Sequence, residues 1–179
     1  MPSILWRRLD REGHEFCWLD PFRLFGVALI VHEGVPCALD YMVVWDETWR
    51  TRSASMHGNV GESVYDIEIA ATADGAWEMD GNDVEAVAGC IDVDLNFSPS
   101  TNTLPIRRSQ LEVGQEAEVR SAWLRFPSFE LEPLVQRYRR IEERTYEYES
   151  GSFSAELHVN DAGLVTSYEA FCEAVAQSD

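Results

Sequence analysis

The stretch SVYDIEIAA (residues 63–71) alternates apolar and charged side chains from Tyr65 to Ile69. In an extended chain, Tyr65, Ile67 and Ile69 lie on one face, and Asp66 lies on the opposite face. This period of two predicts a β-strand with one face in the core and one in water. Such half-buried strands are typical of antiparallel sheets.

The same period recurs along most of the chain. Further alternating segments are HEFCWLD (14–20), GCIDVDLNF (89–97), RTYEYES (144–150) and SFSAELHVN (152–160). Turn-forming sequences such as DREG, TADGAW and ESGS separate these segments at short intervals, as in an all-β meander. About a dozen or more strands follow from this spacing. A sheet of that size is expected to curl into a barrel-like or half-barrel shell.

Some segments do not alternate. RLFGVALIVH (23–32) and CALDYMVVW (37–45) are apolar on both faces, which suits a barrel wall with material packed inside it. EPLVQRYRRIEER (132–144) fits a helix or a strand, and the neighbouring hairpins favour a strand. In SYEAFCEAVAQ (167–177) the apolar residues have helical spacing behind Ser167 as an N-cap, which predicts a short C-terminal helix.

Length and charge limit the class of protein. With 179 residues the chain suits one domain over residues 1–179, and it is long enough to bury a core. The net charge is −18, from 32 acids against 14 bases, so nucleic acid and anionic lipid surfaces are expected to be repelled. All bases are arginines, whose planar forks suit carboxylates, phosphates and sugar hydroxyls.

Other features argue against several kinds of site and location. The sequence contains no membrane-spanning apolar run, and MPSILWRRLD at its start lacks the order of a secretory signal, so a cytoplasmic protein is expected. The four cysteines are far apart and are expected to be buried thiols. The four histidines lack metal-ligand spacing, so neither a metal nor another cofactor is predicted.

The first candidate site is the pair Asp92 and Asp94. On a strand the two residues share a face, with Cα atoms about 6.5–7 Å apart. Two carboxylates at that range would serve as a glycosidase pair or as ligands of a hard cation. Acids at alternate positions are also common on exposed strands. A network with arginines is therefore favoured over catalysis, and Arg50 and Arg52, which share a face of their own segment, would supply two forks.

The second candidate is the polar stretch SPSTNTLPIRR (98–108). Its hydroxyls and amides, which include Thr101, Asn102 and Thr103, would either stiffen a loop or form a polar rim that binds a sugar or headgroup. Arg107 and Arg108 would point to opposite faces of an extended chain, so only one of them would reach a site.

Four motifs resemble a bacterial family described as "putative glycolipid-binding", formerly a domain of unknown function. They are WRTR (49–52), GCIDVDLNFSPSTNTLPIRR (89–108), AWLRFPSFELEPLVQRY (122–138) and YEYESGSFSAELHV (146–159). The resemblance covers nearly the whole chain. It implies a large antiparallel sheet curled into a shell similar to lipoprotein-carrier folds.

The resemblance also implies a set of polar positions that recur in the family. They are Arg50, Arg52, Asp92, Asp94, Thr101, Asn102, Thr103, Arg107, Arg108, Gln136 and Tyr138, followed by Tyr148, Glu149 and Ser150. The family supplies no catalytic residues to carry over.

Three functions follow from the sequence, in decreasing order of support. The first is a non-catalytic binding protein for an amphipathic ligand such as a glycolipid, with the chain of the ligand inside the shell and its headgroup at the rim. The second is a structural or interaction module. The third is an enzyme that acts on a glycoconjugate through Asp92 and Asp94.

Overall fold

The computed structural model describes residues 1–178, in which fifteen strands form one sheet. In chain order the strands are β1 (Ser3–Arg8), β2 (Gly13–Asp20), β3 (Arg23–His32), β4 (Val35–Trp45), β5 (Thr51–Val60), β6 (Ser63–Ala71), β7 (Trp77–Met79), β8 (Asn82–Asp83), β9 (Asp92–Leu95), β10 (Glu116–Arg125), β11 (Glu130–Glu142), β12 (Thr145–Ser150), β13 (Phe153–Val159), β14 (Val165–Tyr168) and β15 (Cys172–Ser178). The helical segments of these residues are α1 (Thr103–Ser109) and two 3-10 turns, Glu85–Val87 and Ser100–Asn102. No helix in this part of the chain is long and apolar enough to cross a membrane.

Sequence neighbours are mostly sheet neighbours. The order across the sheet is β8-β7-β6-β5-β4-β3-β2-β1-β15-β14-β13-β12-β11-β10-β9. All pairs are antiparallel except β9 with β10, which are parallel. The all-β, mainly antiparallel fold predicted from the sequence is therefore confirmed. The segment 132–144 is a strand rather than a helix as far as Glu142, and its last two residues lie in a turn.

The sheet curls without closing. Its end strands, β8 and β9, do not pair with each other within residues 1–178. Instead β9 approaches the start of β5, where Thr51 N donates to Ile91 O at 3.2 Å. Val93 N donates to Thr51 Oγ1 at 2.9 Å, so the next hydrogen bond between the two segments has a side-chain hydroxyl as its acceptor instead of a backbone oxygen. The twist of many consecutive strands brings the two halves of the sheet together in this way.

Side chains fill the inside of the curl. The alternation read in residues 63–71 places Ile67 and Ile69 in the core, at 5% and 2% exposure. Other large side chains that are almost fully buried include Trp6, Leu24, Leu39, Tyr41, Leu95, Phe97, Leu104 and Tyr138. The expectation that both faces of residues 23–32 are buried is wrong, because Leu29 is 57% exposed on the outer face of β3.

The predicted C-terminal helix is also wrong. Residues 165–178 form the hairpin of β14 and β15, in which Tyr168 faces Cys172. Strand β15 then pairs with β1 along most of its length and satisfies the backbone groups of that strand. Ala170 adopts φ +58 at the turn, a left-handed conformation that ends any helix. The open edge of β1 therefore overrides the helical spacing of the apolar residues.

The polar stretch of residues 98–108 is neither a strand nor an irregular loop. It continues from β9 through the 3-10 turn into α1, where Pro105 is tolerated in the first helical turn. The prediction that Arg107 and Arg108 point to opposite faces is therefore wrong, since successive helical residues are about 100° apart. Leu104 and Ile106 bury the inner side of α1, and Gln110 ends it in the left-handed conformation.

Candidate functional site

An open cleft of about 330 Å³ lies beside the polar stretch, and we call it the aromatic cleft. Its polar side chains include Asp94, Asn96, Ser98 and Asn102, all from β9 or the residues just after it. Its aromatic side chains are Trp123, Tyr148, Phe153, Tyr168 and Phe171. The aromatic cleft therefore joins a polar floor to aromatic walls, the usual composition of a small-molecule site.

Asp94 is held at the floor by Gln136 of β11. The Nε2 atom of Gln136 donates to Asp94 Oδ2 at 2.5 Å and to Tyr148 Oη at 2.9 Å. Its Oε1 atom accepts from Ser121 Oγ at 2.8 Å, which fixes the orientation of the amide. Gln136 is only 1% exposed, whereas Asp94 is half-buried and faces the cleft.

Three effects set the pKa of Asp94. Burial, the largest effect, raises the pKa. The hydrogen bond from Gln136 lowers it, and the nearby Asp92 carboxylate raises it. The resulting pKa of Asp94 is about 6. At neutral pH the carboxylate is thus mostly ionised. The site offers a strong hydrogen-bond acceptor on the polar floor, beneath the aromatic walls.

Asn102 is fixed in a similar way. Tyr138 Oη donates to Asn102 Oδ1 at 2.8 Å, and Asn102 Nδ2 donates to Pro99 O at 3.0 Å. Burial raises the pKa of Tyr138, which keeps its hydroxyl protonated as a donor. Of the predicted site residues, Asp94, Asn102, Gln136 and Tyr138 are brought together here.

The aromatic walls form a connected cluster. The Tyr148 and Tyr168 rings lie 5.9 Å apart in an edge-to-face arrangement, and Tyr168 and Phe171 lie 4.9 Å apart. Phe153 is 6.2 Å from Tyr168 and remains 49% exposed at the mouth of the cleft. Burial raises the pKa of Tyr148, so its hydroxyl keeps a proton while it accepts from Gln136.

A buried carboxyl group lies behind the floor. Glu15 of β2 is 0% exposed, and its Oε1 accepts hydrogen bonds from the hydroxyls of Tyr41 and Ser98. Burial raises the pKa of Glu15 to about 7, and its Oε2 has no partner among the described residues. Sequence reasoning missed this group. The signal was present, since Glu15 alternates in register with Cys17 and Leu19, which are buried.

Asp92 has a different role from Asp94. Its carboxylate is 1% exposed and forms a two-pronged ion pair with Arg108, in which Nη2 lies 2.6 Å from Oδ2. Arg108 Nη1 also donates to Trp49 O at 3.3 Å. Burial raises the pKa of Asp92, and Arg108 opposes that effect. The prediction that Arg50 and Arg52 supply the partners of Asp92 and Asp94 is therefore wrong, because Arg108 of α1 is the partner of Asp92 and Gln136 that of Asp94.

The other predicted residues lie apart from the aromatic cleft. Arg52 pairs with Asp46 at 2.6 Å, and Arg50 is exposed. Thr101 and Thr103 bond to the backbone: Thr101 Oγ1 accepts from Leu95 N, and Thr103 Oγ1 donates to Gly163 O. Arg107 lines a second cleft instead.

A metal centre has little support in the described residues. His57, Asp66 and Glu68 bring three ligand-type atoms together, but all three side chains are exposed on the outer face of β5 and β6. His57 Nδ1 lies 2.7 Å from Asp66 Oδ1, as in an ordinary surface pair. The cysteines are buried free thiols, and burial raises the pKa of Cys17 and Cys172.

The fold and the cleft define an all-β protein with a curled, open antiparallel sheet. The chain belongs to the family described as "Putative glycolipid-binding", whose model matches residues 3–174. A crystal structure of a DUF1089 family protein from Pseudomonas aeruginosa is similar, with a TM-score of 0.83 and 35% sequence identity. The similarity covers 89% of this chain and 90% of that chain. No curated protein matches the chain. The family resemblance read from the sequence is thereby confirmed.

Proposed function

We propose that the protein binds an amphipathic glycoside such as a glycolipid, with the uncharged sugar headgroup on the polar floor of the aromatic cleft. The observation that carries this proposal is the Asp94 carboxylate, held by Gln136 beneath aromatic walls. Sugars present hydroxyl donors together with apolar ring faces. A carboxylate acceptor beside Trp and Tyr rings complements both features.

Charge supports an uncharged headgroup. The cleft contains the Asp94 carboxylate, and the chain as a whole carries a net charge of −18. A phosphate or sulfate on the sugar would be repelled by both. Hydroxyl groups, in contrast, donate to an ionised carboxylate in bonds worth about 1.5–3 kcal/mol each.

The packing of the curl determines where an aliphatic chain would lie. Phe97, Leu95 and Leu104 fill the inside beside the cleft, at 1% exposure or less. The aliphatic chain of the ligand is therefore proposed to lie at the mouth of the cleft, rather than inside the shell as the sequence suggested. Phe153, which is 49% exposed at the mouth of the cleft, supplies apolar surface there.

Binding is favoured over catalysis by the state of Asp92. A glycosidase uses two carboxyl groups that both reach the substrate. The Asp92 carboxylate is buried and engaged by Arg108, so it cannot serve as the partner of Asp94. The proposed function therefore needs only the acceptor and the aromatic surface.

The direct test is a titration with octyl glucoside below its micelle concentration, followed by tryptophan fluorescence because Trp123 lines the cleft. Saturable binding is expected. Asp94→Asn should weaken it by about 10-fold or more, since one hydrogen bond to a charged group is lost. The matched control is Asp66→Asn on the outer face of β6, which should bind like the wild type.

Two further titrations define the ligand class. Glucose alone should bind more weakly than octyl glucoside, because it has no aliphatic chain to cover Phe153 at the mouth of the cleft. Octyl sulfate, with the same chain and an anionic head, should not compete. Absence of saturation with octyl glucoside, or equal affinity in the wild type and Asp94→Asn, would overturn the proposal.

A further inference from the structure

A second cleft, of about 340 Å³, lies at the end of α1, and we call it the arginine cleft. Arg107 and Gln110 enter it from the end of α1, Arg140 from β11, and Trp49 from the segment before β5. The arginine cleft is thus built by parts of the chain that are distant in sequence. Its character is basic, in contrast to the acidic protein around it.

Arg107 has no carboxylate partner within residues 1–178. Its guanidinium group lies 5.2 Å from the ring centre of Trp49 and donates to the backbone oxygen of Asp161 at 3.3 Å. Trp49 in turn stacks on the buried Trp45 at 5.0 Å, with the rings nearly parallel. A cation over a fixed aromatic face is oriented without being neutralised.

Arg140 is held in the same manner. Its Nη1 donates to Leu111 O at 2.7 Å, and its Nε donates to Glu143 O at 3.1 Å. Its guanidinium group lies 5.8 Å from the ring centre of Tyr146. These partners are backbone dipoles and an aromatic ring, so Arg140 also keeps its full charge. Most other arginines pair with a carboxylate, as Arg137 and Arg139 do on the same strand.

The remaining charges of the cleft leave an excess of one cation. Arg144 also lines it, and its Nη2 lies 2.5 Å from Asp161 Oδ1, so these two groups neutralise each other. Glu143 is the other carboxylate, and it is exposed. Both Arg107 and Arg140 act on the Tyr146 hydroxyl, whose pKa burial raises and these two cations lower.

We infer that the arginine cleft binds a phosphate monoester, with the phosphoryl oxygens between Arg107 and Arg140. Arg107 and Arg140 come from different elements, and each keeps N–H donors that its backbone partners do not use, which suits an oxyanion with oxygens on several sides. A volume of about 340 Å³ exceeds that of a bare phosphate, so an attached organic group fits as well. Trp49 also lines the cleft, so aromatic surface lies beside that group.

This site is separate from the aromatic cleft. The polar stretch of residues 98–108 contributes Ser98 and Asn102 to the aromatic cleft, and Ile106 and Arg107 to the arginine cleft. The two clefts have no lining residue in common. The inference therefore stands whether or not the aromatic cleft binds a glycoside.

The test is calorimetric titration with phenyl phosphate, with phenol and with inorganic phosphate at constant ionic strength. Phenyl phosphate is expected to bind saturably and more tightly than inorganic phosphate, and phenol is not expected to bind. Arg107→Gln should weaken phenyl phosphate binding by about 10-fold, as expected for one charge-assisted contact. Arg107→Lys keeps the charge but loses the planar guanidinium group, so its affinity for phenyl phosphate should lie between those of the wild type and Arg107→Gln.

The matched control is Arg120→Gln, which changes an exposed arginine outside both clefts. This variant and Asp94→Asn should bind phenyl phosphate like the wild type. Circular dichroism melting checks that each variant is folded. Binding that is unsaturable, or that Arg107→Gln and Arg120→Gln reduce equally, would overturn the inference, because a diffuse surface charge would then explain it.

A second arm identifies the source of the phosphate. Flotation with phosphatidylcholine vesicles that contain phosphatidic acid tests a lipid phosphate monoester, and pure phosphatidylcholine vesicles are the blank. Flotation that Arg107→Gln abolishes would assign the site to a lipid headgroup. Phenyl phosphate binding without flotation would assign it to a soluble monoester. Absence of both kinds of binding would overturn the inference.

Discussion

Gln136 Nε2 lies 2.5 Å from Asp94 Oδ2, and this bond joins β9 to the long strand β11. The bond counteracts the burial of the carboxylate and holds its pKa at about 6 rather than higher. The pair therefore sets both the position and the charge of the proposed acceptor.

Replacement of the donor should change the titration of Asp94. In Gln136→Leu the carboxylate keeps its burial and loses its hydrogen bond, so its pKa should rise above about 6. Carbon-detected NMR titration of the side-chain carboxyl measures this directly. Gln115→Leu, in an exposed turn, is the control. An unchanged pKa of Asp94 in Gln136→Leu would show that the bond does not govern the charge.

The ion pair of Asp92 and Arg108 should matter for stability. Arg108→Met leaves a buried carboxylate without its partner, and we expect a loss of about 3–5 kcal/mol in the free energy of unfolding. Urea denaturation measures it. The double variant Asp92→Asn/Arg108→Met removes the charge as well and should recover much of that loss. If the single and double variants were equally unstable, the unpaired charge would not be the cause.

Glu15 should make stability depend on pH. Its ordinary pKa of 4.5 applies to the unfolded chain, and burial raises the pKa to about 7 in the folded protein. The folded state therefore binds the proton more tightly. The free energy of unfolding should fall as pH rises from about 4.5 to 7, by about 3 kcal/mol for this group. Asp94 adds a slope of the same sign between about pH 4 and 6.

The variant Glu15→Gln isolates that contribution. It cannot ionise, so urea denaturation at pH 5, 6, 7 and 8 should show a smaller decline than in the wild type. The exposed Glu118→Gln serves as the control and should keep the wild-type slope. A Glu15→Gln protein with the full wild-type decline would assign the pH dependence to other groups.

The sequence predicted the sheet well because period-two alternation reports burial directly. Residues 63–71 show this, since Ile67 and Ile69 are in the core as expected. The prediction of a C-terminal helix failed because the spacing of Tyr168 and Cys172 also suits a tight hairpin. What decided the outcome was the open edge of β1, a long-range feature that local spacing does not contain.

The candidate site was predicted in its residue types but not in its grouping. Asp92 and Asp94 share a strand, yet only Asp94 reaches a cleft, because Arg108 covers Asp92 from α1. That helix was expected to be extended, so the partner of Asp92 could not be assigned. Aromatic wall residues such as Phe153 and Tyr168 come from distant strands, and only the folded sheet brings them together.

In the proposed function, an ionised Asp94 accepts hydrogen bonds from an uncharged sugar headgroup. The most direct test is the affinity for octyl glucoside measured at pH values from 5 to 7.5. With the pKa of Asp94 at about 6, affinity should rise with pH and level off above about 7 in the wild type. In Asp94→Asn it should be weak and flat. A wild-type affinity that does not change with pH, or the same rise in Asp94→Asn, would contradict the claim.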